Sequence, residues 1–271
     1  MALIKYRPFS FAFAWAAVSW HITSASSICV ILLSPYAVNC DKISLKKTMP
    51  DQPYRFEPAS GYDEYKVTSL LKDHLASLME NSENQETIDQ ILKLINGYKD
   101  QLRNLRKKNN IATIKEVYKT IDNFFNNAPE ENKKDIKCKT GCTACCFIDV
   151  DVSFDEVAAI INYCNQNGIE IDKEYLEKQA AVGRKKYSEF SRCVFLKDNM
   201  CSIYPVRPIA CRKHWVRTDP SLCDFSENIP HPVGRYFDIN TEILASAALN
   251  VGGSGSFETM LLTELERRVA K

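Results

Sequence analysis

The chain has 271 residues, is 45% hydrophobic and carries a net charge of +1. A chain of that length buries a sizeable core unaided, so its eleven cysteines are not needed merely to keep a small fold together. Basic and acidic residues are interspersed, which excludes the broad cationic footprint of a nucleic-acid or anionic-lipid binder, and no nucleic-acid partner is expected.

Residues 1–48 read as a leader. Lys5 and Arg7 precede the apolar run Phe9 to Trp20, and the small residues Ala25, Ser26 and Ser27 follow, the order of a secretory signal. A second apolar stretch, Ile28 to Val38, is broken at Ser34 and Pro35, and neither run suffices for an uninterrupted membrane-spanning helix. Met49 opens an ordinary polar segment, so an early gene start is the alternative to a signal. The expected compartment is cytoplasmic, with export the alternative if residues 1–27 are a signal, and a membrane partner follows only if the leader is real.

Residues 49–61 hold Pro50, Pro53, Pro58 and Gly61 and read as a loop. Helical spacing then takes over for a region spanning 62–135. Val67, Leu70, Leu71, His74, Leu75 and Leu78 mark a first helix. A second follows Ile88, Ile91, Leu92, Ile95, Leu102 and Leu105, and a third Ile111, Ile114, Val117, Tyr118, Ile121 and Phe125. Short polar links at 80–84 and 107–110 make an antiparallel array the economical arrangement. The basic run Arg103 to Lys108 closes the second helix, where cations suit the dipole, and reads as a solvated end.

A cysteine-rich domain is expected over 136–225. Within it Ile148, Val150 and Val152 alternate with Asp149 and Asp151, the period of a half-buried strand with a solvated acidic face. Ser153 and Glu156 form a capping-box pattern, Val157, Ile160, Ile161 and Cys164 an apolar helix face, and Gly168 a stop. A further helix is expected from Asp172 to about Tyr187. Residues 226–271 hold two helices, Thr241 to Leu249 and Phe257 to Val269, joined by the glycine-rich Gly252 to Gly255 as a flexible connection. The fold class is predominantly α (α+β), a helical front half packed on a metal-binding rear half with little strand.

Cys164 aside, eight cysteines fall between 138 and 223. Cys138, Cys142, Cys145 and Cys146 form one group, in which short loops bring thiolates to one side and Gly141 permits a turn beside a ligand. Cys193, Cys201, Cys211 and Cys223 form the second. An odd total and the adjacent pair at 145 and 146 suit reduced, metal-ligating thiols better than disulfides. Neighbouring thiolates do not easily share one tetrahedral zinc ion, so they point to different metals of a cluster or to two sites. Pro205 and Pro208 stiffen the approach to Cys211, while Arg207 and Arg212 offer charge against gathered thiolates. His214 has a ligand-compatible spacing from Cys211, although a surface histidine is the commoner case, and His74 fits a core position.

On these residues the chain resembles the YkgJ-like CxxxCxxCC cysteine-cluster family, through Cys138 to Cys146, then Cys193 and Cys201, then Arg207-Pro208 and Cys211-Arg212. The resemblance covers about residues 138–223 and implies a zinc- or iron-chelating domain. The cofactor it implies is an iron–sulfur cluster or zinc, held by Cys138, Cys142, Cys145, Cys146, Cys193, Cys201, Cys211 and Cys223. Flagellin lysine N-methylases carry a similar module, which adds an enzyme acting on a protein side chain to two other expectations: a redox or protein-modifying metal protein, and a non-catalytic zinc-stabilised module binding a protein partner.

Overall fold

The computed structural model describes residues 18–23, 27–32, 67–139, 141–182, 192–223 and 233–269. The chain divides into Met1–Gln52 and Pro53–Lys271. In the first unit β1 (Val18–Thr23) and β2 (Ser27–Leu32) pair antiparallel, Val18 opposite Leu32 and Thr23 opposite Ser27. The remaining expectations for residues 1–66 lie outside the described residues. No helix among the described residues is long and apolar enough to cross a membrane.

The second unit is predominantly helical. Its front array is α1 (Ser69–Met79), α2 (Gln85–Arg106) and α3 (Asn110–Asn127). Side chains start two of them: Thr68 accepts from Leu71 N–H at the head of α1, and Asn109 from Ala112 N–H at the head of α3. The stripes read from the spacing are the ones buried, with Leu71 and Leu75 on α1, Ile88, Ile91, Ile95 and Leu102 on α2, and Ile114, Val117 and Ile121 on α3. The short α4 (Glu130–Lys133) follows Pro129 and leads towards the cysteines.

The expected alternating strand at 148–152 contracts to β3 (Asp151–Ser153), with Asp149 and Asp151 both exposed. Next comes α5 (Phe154–Asn167), whose capping box is complete and whose end turns through Gly168 at φ 63°. The following helix is α6 (Lys173–Val182); the expected continuation to Tyr187 lies outside the described residues. A small hairpin of β4 (Leu196–Lys197) and β5 (Met200–Cys201) turns through Asp198 and Asn199, both at positive φ, as a two-residue turn matching strand twist requires. α7 (Ile209–Arg212) is a single turn.

Two features of the C-terminal part depart from expectation. α8 (Ile239–Leu249) is buried on every side from Thr241 to Ala248 and packs against α1, α2 and α3, so a helix from the end of the chain completes the front array. The glycine-rich stretch after it is no flexible connection. Ser254–Ser256 forms β6, paired antiparallel with β3, before α9 (Phe257–Val269) packs on α5 and α6. Gly253 takes a φ of 71°, and a side chain at Gly252 would crowd the Asp155 carboxylate at 3.2 Å. That carboxylate also receives Arg106 at 2.6 Å and Asn110 at 3.1 Å, so Arg106 ties α2 to α5 and is not simply a solvated end.

Ile95 is fully buried on α2, the helix that packs most extensively on α8. Ile95→Ala is expected to cost about 3 kcal/mol through lost transfer energy and the cavity left behind, measured as a lowered urea midpoint with an unchanged slope.

Candidate metal centre

The first cysteine block is laid down by turns. Lys137 N–H donates to the Val216 carbonyl at 2.8 Å, which sets residues 136–138 alongside 214–216. Val216 N–H in turn donates to Cys138 Sγ at 3.3 Å, and the Cys138 thiol lies 3.9 Å from the His214 carbonyl. Gly141, at φ 82°, lets the chain double back so that Cys142 N–H reaches the Lys139 carbonyl at 3.0 Å. Residues Ala144–Phe147 then wind into a 3-10 turn carrying Cys145 and Cys146.

The second block docks on that turn. Cys193 N–H donates to the Cys146 carbonyl at 2.8 Å, which places the two cysteines side by side across 47 residues of sequence. The β4–β5 hairpin returns Cys201 opposite Leu196, itself bonded through its N–H to the Cys193 carbonyl at 2.9 Å. Cys211 rides on α7, whose first amide, Ile209 N–H, is held at 2.7 Å by the buried Glu156 carboxylate. Pro220–Cys223 form another 3-10 turn, packed on Ala144–Phe147, and Cys223 is buried.

The electrostatics follow these neighbours. Burial pushes Cys138 up, with Cys142 and Cys145 adding to it against the Val216 N–H bond. Burial likewise takes Cys223 to about 11, aided by Cys138, Cys145 and Cys142. Cys201 is raised to about 11 by burial, with Cys193 and Cys145 adding and Arg207 opposing. Cys145 goes the other way, to about 7, because the Cys146 side chain hydrogen-bonds to it and Arg207 lies near. Cys146 is correspondingly raised by that shared bond, by burial and by Cys145, Cys193 and Cys211. Thus in the reduced, metal-free protein near pH 7, Cys145 is expected to be the first cysteine alkylated by iodoacetamide, ahead of Cys201 and Cys223, as peptide mass mapping of a time course would read out.

No disulfide joins the nine cysteines from Cys138 to Cys223 whose side chains are described. Among the described residues no three His, Cys, Asp or Glu side chains converge on one point as a ready-made ion site. The donor set nonetheless suits a soft or borderline metal: eight thiols stand in one continuous neighbourhood, with the cation of Arg207 beside Cys145, Cys201 and Cys211. Zinc and iron–sulfur centres both fit such a set; a hard cation such as calcium does not.

Residues 137–227 match the sequence model of the CxxCxxCC family, described as a putative zinc- or iron-chelating domain. Over this stretch the chain is similar to a CxxCxxCC domain. The stretch spans about a third of the chain, and the first spacing here has three intervening residues, with Gly141 among them. Neither the curated proteins nor the solved structures contain a match to the chain. The description of that family supports metal binding by this stretch of the chain.

Several side chains around this stretch sit differently from what spacing suggested. Arg212 does not face the thiols: its guanidinium is buried, pairs with Asp122 at 2.5 Å, donates to the Pro205 carbonyl at 2.8 Å and lies over the Tyr118 ring. It braces α7 against α3, leaving Arg207 as the arginine beside the cysteines. His214 is half-buried, not a surface residue, and its Nε2 lies 4.0 Å from Cys223 Sγ. α7 ends at Arg212, so the helical spacing from Cys211 to His214 does not persist and the ring turns to Cys223 instead. Burial, with Arg235 and Lys213 adding, lowers His214 to about 4, which leaves the ring neutral and able to donate or accept. Cys164 is a buried hydrophobe on α5, and His74 packs on Phe237 with ring centroids 4.9 Å apart.

Proposed function

We propose that the chain is a metal protein whose centre is held by Cys138, Cys142, Cys145 and Cys146 together with Cys193, Cys201, Cys211 and Cys223, and that this centre serves redox or protein-modifying chemistry. The observation that carries the reading is the meeting of two cysteine blocks distant in sequence at the Cys146–Cys193 backbone bond, with Arg207 among them. Eight thiolates exceed what one mononuclear zinc ion uses, and a gathered anionic set gains from a fixed guanidinium. An iron–sulfur cluster bound there would supply electron transfer. The chain's own part is to exclude water on the Cys223 side, where the thiol is buried, and to offset the charge of the thiolates through Arg207.

A second reading draws on the same bond. Metal bound across the blocks would clasp residues 192–223 onto 137–147, so zinc in that position would act as a staple and the front helices would serve a protein partner. Anaerobic purification followed by iron, zinc and acid-labile sulfide analysis, with a visible spectrum, separates the two. Iron with sulfide and a broad band near roughly 400 nm supports the redox reading. Colourless protein with stoichiometric zinc overturns it in favour of the staple.

A further inference from the structure

A cavity of about 780 Å³ lies where α2 ends, α3 begins and the turn after α8 passes, and none of its lining residues is a cysteine. Arg103, Arg106 and Lys107 bring three cations to its wall, Asn104 and Asn110 bring two side-chain amides, and Val251 of the turn is apolar. Cations at the end of α2 suit the helix dipole, but the dipole explains neither a cavity nor the way its wall is held. The Asp155 carboxylate, on a residue 7% exposed, does the holding. One oxygen accepts from Arg106 Nε at 2.6 Å and the other from the Asn110 amide at 3.1 Å, so both side chains are fixed before a ligand arrives. The other nitrogens of the Arg106 guanidinium, the Lys107 ammonium and the Asn104 amide have no partner among the described residues. Asp100 meets Arg103 at 3.4 Å with its carboxylate 72% exposed, a pair that water screens.

We propose that this cavity binds a small phosphate monoester. A tetrahedral dianion accepts hydrogen bonds from several directions at once and so engages a guanidinium, an ammonium and an amide together, whereas a planar carboxylate is satisfied by one guanidinium fork. Arg106 and Lys107 take the phosphate. Asn110 is the first residue of α3 and brings the positive end of that 18-residue helix to the same wall. The volume falls in the range of roughly 300–1,000 Å³ usual for small-molecule sites and exceeds a lone phosphate, so the ligand carries a body as well as a head. Asn104 and the Asp100 carboxylate suit hydroxyl groups on that body. This site goes beyond the metal-binding reading and does not depend on it.

Calorimetric titration of the full-length protein at low salt, with ribose 5-phosphate, inorganic phosphate and citrate as probes, tests the proposal. Ribose 5-phosphate is expected to bind saturably at a single site. Inorganic phosphate, the head group alone, is expected to bind there more weakly, and citrate more weakly than ribose 5-phosphate despite its several carboxylates. Lys107→Met removes an exposed cation and no internal bond, and is expected to weaken ribose 5-phosphate about tenfold, the loss that one charge-assisted hydrogen bond represents. Lys93→Met takes an equal charge from an exposed position of α2 outside the cavity and is expected to leave the affinity unchanged. Absence of saturable binding by ribose 5-phosphate overturns the proposal, as does citrate binding equally tightly. Binding that Lys107→Met leaves intact places the ligand elsewhere, and equal weakening by both lysine variants reveals diffuse attraction alone; either result overturns the site.

Discussion

Glu156→Ala is expected to lower stability by about 3 kcal/mol and to loosen the approach to Cys211. The carboxylate is fully buried and accepts from Ser153 N–H at 2.8 Å, from the Ser153 hydroxyl at 3.0 Å and from Ile209 N–H at 2.7 Å. Alanine removes the reciprocal half of the capping box on α5 and leaves two buried amide donors without acceptors, each costing roughly 1–3 kcal/mol when orphaned. Because Ile209 opens α7, the loss is transmitted to the segment that carries Cys211. Urea unfolding of the metal-free protein gives the stability term without interference from the metal. The pH dependence adds a sign. Burial raises Glu156 above the ordinary 4.5, outweighing the donors and Arg212 that pull it down. The folded state then holds the proton more tightly than the unfolded chain, so this group's contribution is fully present below 4.5 and is lost as pH rises through the raised value. Glu156→Gln, which keeps the shape and one acceptor oxygen, is expected to lose that slope, so the stability of wild type relative to the variant falls as pH rises.

Lys213→Met is expected to cost about 3–5 kcal/mol, because it strands a buried carboxylate. Glu242 on α8 is 2% exposed at its side chain and meets Lys213, itself 12% exposed, through both oxygens at 2.9 and 2.8 Å. The Thr68 hydroxyl donates to the same carboxylate, and Thr68 N–H donates to Ser246 at 3.1 Å. This knot joins the start of α1, the middle of α8 and the residue between Arg212 and His214, so it fixes the helical array to the segment behind the cysteines. Adding Glu242→Gln to Lys213→Met removes the stranded charge, and the double variant is expected to be more stable than the single one. A double variant no better than the single one would show that the cost lies in packing by the lysine stem instead.

The helices α1, α2, α3, α5 and α9 are legible in the sequence because each has a polar face, and the 3.6-residue spacing of Ile88, Ile91 and Ile95 or of Ile114, Val117 and Ile121 follows from it. The place of α8 is not legible in the same way. Its run Ile243, Leu244, Ala245, Ala247 and Ala248 has no solvent side, and what looks polar there, Glu242 and Ser246, is taken up by Lys213 and Thr68 from elsewhere in the chain. A helix apolar all round announces burial but not its neighbours. β6 escaped because a three-residue strand containing glycine has no alternation to read, and its partner β3 lies about a hundred residues earlier. At the site, the types and spacing of the cysteines identify the chemistry. Their grouping depends on Cys193 meeting Cys146 and on Cys223 folding back to the first block, both long-range events. The spacing of His214 from Cys211 carries no helical meaning because α7 is a single turn, and Arg212, expected beside the thiols, is instead taken up by Asp122 and Tyr118 of α3.

The most direct measurement of the central claim is the mass of the intact, anaerobically purified protein under native conditions against its mass after acid denaturation. A native excess equal to bound zinc, or to iron with sulfide, that disappears on denaturation and is reduced by Cys146→Ser is the expected result. Equal masses, with all eight cysteines alkylated in the folded protein, would contradict it.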